Sequence, residues 1–111
     1  MLQIPKRYLP HTVQVRVPKK TEDGFGGQYE EPVTIEHVRV EPIWTLRATQ
    51  YQLQDGAHGI LYIDAVNSEG AFEIPARSLV TLEGEPSPAN VLACHPIIGI
   101  NRVHHWEVEL A

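Results

Sequence analysis

The sequence has a single cysteine, Cys94, so no disulfide can close within the chain. That usage suits a reducing compartment. It has no apolar run near the ~18 residues that a membrane-spanning helix needs. The start, Met1 to Arg7, has no long apolar stretch behind its basic pair and does not read as a secretory signal. Excess positive charge is also missing: the formal net charge is -5, which argues against a broad nucleic-acid-binding surface. Uninterrupted helical stretches are scarce, because nine prolines and eight glycines are scattered along 111 residues. The familiar chemical motifs are absent as well. There is no GxSxG, HExxH, CxxC or phosphate-cradling glycine loop.

What remains is a globular composition, 42% apolar and 21% charged, in a length that suits one domain over 1–111. The apolar residues mostly alternate, and turn signals recur about every ten residues. This predicts an all-β fold, a small β-barrel or sandwich of about six antiparallel strands with a long loop between the first two. The expected strands are 11–17, 33–40, 60–66, 78–83, 90–98 and 103–110. In the first, Val13, Val15 and Val17 face one way. In the second, Val33 and Ile35 are out of phase with Val38 and Val40, so a β-bulge is expected near Glu36-His37, unless both faces are buried. Pro96 should interrupt the fifth strand. In the last, His104, Trp106, Val108 and Leu110 share one face, with His105, Glu107 and Glu109 on the other. Segment 43–53 is ambiguous between strand and irregular chain.

Two segments fall outside this pattern. Residues 1–10 read as a flexible N-terminal arm. Residues 19–32 read as a long polar loop, and loops of this length tend to be functional or disordered.

The chemistry-bearing residues scatter. Metal binding needs three or four ligands at one point. Neighbouring residues His104 and His105 should point to opposite faces of a strand unless a bulge intervenes, and Cys94-His95 has the same problem. A cupin-like site would show HxH, and this chain has HH. Cys94 lies in an apolar strand and reads as a small buried hydrophobe rather than a reactive thiol. Asp64 could be a catalytic acid but suits a structural acceptor at a strand end better. The expectation is no catalytic, cofactor or metal site, hence not an enzyme. The rival expectation is a His-containing β-barrel that binds a metal or ligand through His37, His95 and His104.

Four segments, in order, resemble the minor capsid proteins of tailed phages that infect Gram-positive bacteria. They are Ile4-Pro5-Lys6-Arg7-Tyr8-Leu9-Pro10-His11, Ile35 to Glu41, Asp55 to Ser68 with its closing Asp-x-x-Asn-Ser, and Val103 to Glu109 with its His-His-aromatic pattern. The resemblance implies a virion protein of the head–tail junction, related to head-completion stoppers, with assembly in the host cytoplasm. It implies a homo-oligomeric ring in the virion and a monomer when alone, against portal or adaptor protein and tail proteins, with no specific nucleic-acid or membrane partner. By that analogy Lys19, Lys20, Glu22, Asp23, Phe25, Tyr29, Glu30 and Glu31 form the channel or partner loop. Ile4, Lys6, Arg7 and Tyr8 form the inter-subunit arm.

Overall fold

The computed structural model describes residues 3–21, 24–42 and 53–111. Among these there is no α-helix, only a short 3-10 turn at Lys6–Tyr8. Eight strands follow: β1 (His11–Arg16), β2 (Pro18–Thr21), β3 (Gly24–Tyr29), β4 (Val33–Pro42), β5 (Gly59–Asp64), β6 (Leu79–Leu82), β7 (Ala89–Ile98) and β8 (Val103–Leu110). Six of them close a barrel in the order β1-β4-β5-β8-β7-β6, with β6 returning to β1. These are the six strands that the alternation predicts. The ambiguous stretch 43–53 lies almost wholly outside the described residues.

The alternation works because one face of each strand fills the barrel. Val13 and Val15 from β1, Ile35 and Val38 from β4, Leu61 and Ile63 from β5, Val80, Val91, Val108 and Leu110 make one core. Each such side chain contributes about 1.5–3 kcal/mol on burial. The expected bulge in β4 is present. His11 pairs with Val38 but Val13 pairs with Ile35, so β4 carries one extra residue. His37 sits in that bulge with φ 55°, and the slip lets Ile35 and Val38 both face inward although they are three residues apart.

Pro96 does not interrupt its strand. It lies opposite Trp106 within β7, and β6 pairs with β7 only at Ala89 and Asn90. The missing N–H therefore falls on an edge that β6 does not reach.

Segment 19–32, expected as an irregular loop, is instead largely a β-hairpin, β2 with β3, forming a sheet of its own outside the barrel. Apolar alternation marks a strand only when one face is buried, and none of the hairpin's described side chains is fully buried. Gly27, at φ 79°, lies where β3 carries extra residues relative to β2.

Residues 4–9 are held against the barrel by hydrogen bonds and by Leu9, which is fully covered.

Candidate functional site: an anchored arm and a projecting hairpin

The anchor of the arm is Asp64, at the end of β5 and fully buried. Its Oδ1 accepts the Ile4 N–H at 2.9 Å, and its Oδ2 accepts those of Val66 at 3.0 Å and Asn67 at 2.7 Å. Three N–H donors compensate a carboxylate that would otherwise be costly to bury. The Asn67 side-chain amide donates back to the Ile4 carbonyl at 2.8 Å. The Ser68 hydroxyl accepts from the Asp64 N–H at 2.9 Å and donates to the His37 carbonyl in the β4 bulge. Asp-x-x-Asn-Ser is thus a structural knot that fastens arm, β4 and β5 together. Asp64 is an acceptor here, not an acid exposed for catalysis.

The adjoining turn adds charge. Glu69 receives Lys6 Nζ at 2.8 Å on one oxygen and His37 Nδ1 at 2.5 Å on the other. These two partners, Lys6 first, hold its carboxyl down at about 2. Gly70 closes the turn at φ 86°, where a Cβ would come within 2.6 Å of the Thr34 carbonyl oxygen.

The arm's outer side remains open. Tyr8 is 51% exposed, with the Arg7 guanidinium 4.8 Å from its ring centre. Arg39 reaches the Tyr8 carbonyl at 3.4 Å and pairs with Glu41 at 2.7 Å. Ile4, Tyr8, Leu9, Arg39, Glu41 and Tyr62 line a shallow hollow beside the arm. Burial, with the Glu107 and Glu41 carboxylates nearby, pushes the Tyr62 phenol up to about 12.

On the hairpin, Lys19 and Lys20 are exposed, and the backbone of Phe25 pairs with that of Lys20. Tyr29 is half-buried with the Arg16 guanidinium 5.8 Å from its ring centre. Glu30 and Glu31 are exposed where the hairpin rejoins the barrel. The Glu30 N–H donates to the Val17 carbonyl at 2.7 Å, and its carbonyl accepts Arg16 Nε at 3.2 Å. Glu22 and Asp23 lie outside the described residues.

The histidines do not converge as the rival metal reading requires. His37 pairs with Glu69, His95 with Glu109 at 2.5 Å, and His105 with Glu107 at 2.8 Å. Glu36, His37 and Glu69 form the only grouping of metal-ligand type among the described residues, and Lys6 already occupies Glu69. At His104-His105 the exception allowed for, a bulge, is present. His104 and His105 do not point apart, because their Nδ1 atoms are 2.8 Å from each other. The β7–β8 register slips there, with Ile97 opposite His105 and Ile98 opposite Val103. The bulge turns the two rings together. Nor is His105 exposed. Its side chain is 13% accessible and its ring lies 6.4 Å from that of Tyr62.

Sequence reasoning missed the role of Glu109. It is fully buried on the outer face of β8, where it accepts the Gln54 N–H at 2.7 Å and meets His95. His95 and Glu109 fall on the same non-core phase of two antiparallel strands, a signal that cross-strand pairing could have exposed. Burial pushes the Cys94 thiol up to about 11, which fits an inert small hydrophobe.

A closed barrel with a knotted arm and a projecting hairpin defines a small β-barrel domain with its distinctive features on outward surfaces. The particular family follows from comparison: residues 5–110 match the model of the minor capsid protein family. The chain belongs to this family of phage structural proteins. Neither a curated protein nor a solved structure matches it significantly.

Proposed function

We propose that this chain is a structural component of the phage head–tail junction, of the head-completion stopper type. Copies of it form a ring that joins the portal or adaptor protein to the tail and helps close the DNA channel. Assembly takes place in the host cytoplasm, and the mature site is the virion neck.

The observation that carries this reading is a family match over nearly the whole chain, joined to a barrel whose two extra segments both face outward. A ring subunit needs a rigid body and at least two separate contact surfaces. The knotted arm, with Lys6, Arg7 and Tyr8, supplies one. The hairpin supplies the other, and Glu30 and Glu31 at its base, with a chain net charge of -5, suit a passage that DNA slides past rather than grips.

Electron microscopy of the intact particle tests the reading. It expects density for this barrel between portal and tail. Density for the chain on the capsid shell or along the tail tube, with none at the neck, would rule the role out.

A further inference from the structure

Two charged surfaces make no ion pair among the described residues. The first is on β2. Lys19 and Lys20 are both exposed and make no ion pair among the described residues, whereas Lys6 and Arg39 each sit on a carboxylate. The second is a groove across the first-strand side of the barrel, lined by Thr12, Thr34, Glu36, Thr81, Glu83 and Glu85. It contains three carboxylates and no base, and no ion pair of Glu36, Glu83 or Glu85 occurs among the described residues.

Their placement separates them. Leu82 pairs with Val13, and the Glu83 N–H donates to the Thr12 carbonyl, so the acidic groove flanks the start of β1. The hairpin leaves from the other end of β1, after Arg16. At ~3.3 Å per residue, its base is about 16 Å from Thr12. The lysines and the glutamates of one chain do not meet, yet they are opposite in sign and both exposed.

We infer that the hairpin of one copy docks Lys19 and Lys20 into the Glu36–Glu83–Glu85 groove of the next copy. The inference rests on the reading that copies of this chain assemble together, and it names the surfaces they use. The two surfaces differ, so the contact is head-to-tail, the kind that closes into a ring when the rotation per copy allows. Exposed ion pairs are individually weak, so the contact forms where copies are held side by side on the particle rather than free in dilute solution.

The test uses assembled particles whose copies carry both Lys20→Cys and Glu85→Cys. Both positions are exposed, and the native Cys94 is half-buried in β7. On oxidation, the expected result is a ladder of disulfide-linked multimers of this chain, absent from either single-cysteine particle. Charge reversal gives an independent arm. Lys19→Glu with Lys20→Glu should lower particle yield at least tenfold, as should Glu83→Lys with Glu85→Lys, and all four changes together should restore it. Particles that contain the chain but give no ladder overturn the docking and leave the head–tail reading standing. A crosslink to a different virion protein likewise overturns it. Particles that lack the chain overturn both.

Discussion

The Ile4 N–H donates to Asp64 Oδ1 at 2.9 Å across sixty residues of sequence, and this bond turns a proline-bounded N-terminal segment into a fixed part of the barrel surface. Any contact surface built on Lys6, Arg7 and Tyr8 inherits its position from that carboxylate. None of the hairpin's described side chains is buried in the core, so the two outward segments differ in kind. One is positioned by buried hydrogen bonds, the other by its own two-stranded pairing and its junctions with β1 and β4.

Replacement of Asp64 by Ala should therefore release the arm as well as weaken the fold. Three N–H groups lose a buried acceptor, and stability should fall by about 2–4 kcal/mol. Urea unfolding measures the loss. Hydrogen exchange at the Ile4 amide should accelerate in the same variant at urea concentrations where the barrel remains folded. Unchanged protection at Ile4 would mean that the arm is held by something else.

Glu69 should make stability depend on pH at the acid end. Its carboxyl titrates at about 2 in the folded chain instead of 4.5. The folded state thus binds that proton less readily than the unfolded state. The stabilising contribution is fully present above about 4.5 and is lost as pH falls through about 2. The group is exposed, so the effect should be small and should shrink with added salt. Carbon-detected NMR titration of Glu69 should show the low midpoint, and Lys6→Ala should move it upward. A midpoint near 4.5 in the unaltered protein would refute the ion-pair geometry.

Glu109→Ala should free the segment that leads into β5. The Gln54 N–H and the His95 ring each lose one partner, and the vacated site is buried. A loss of about 2–4 kcal/mol is expected from a buried carboxylate with two polar partners. Faster exchange should concentrate at Gln54. A uniform change across all six barrel strands would instead point to general loosening.

Cys94 should resist thiol reagents in the native state. With its thiol at about 11 and its side chain half-buried, little thiolate exists near pH 8. A disulfide-exchange reagent should react at least tenfold more slowly with folded than with urea-unfolded protein. Equal rates would show that the β7 strand opens readily.

The barrel was legible because its physical cause is written at single-residue spacing. Val13 and Val15, or Leu61 and Ile63, must face one interior, and a strand reaches it at every second position. The bulge at Glu36-His37 was legible for the same reason, since Ile35 and Val38 are out of phase and one added residue between them lets both face the interior. The hairpin was not legible, because it buries no described side chain fully and leaves no alternation to read. The meeting of His104 with His105 was not legible either. It depends on a one-residue slip against β7, which apolar periodicity within β8 does not encode.

By itself the sequence determined the fold class, the six barrel strands and the resemblance to phage minor capsid proteins. These follow from side-chain order along one strand at a time. Only the tertiary structure decided what Asp64, Glu109 and the histidines do. Several of their partners are far apart in sequence: His95 and Glu109 by 14 residues, His37 and Glu69 by 32, Gln54 and Glu109 by 55, and Ile4 and Asp64 by 60. Closure of the barrel brings those partners together, and no local pattern can state where a closed sheet places its far neighbours.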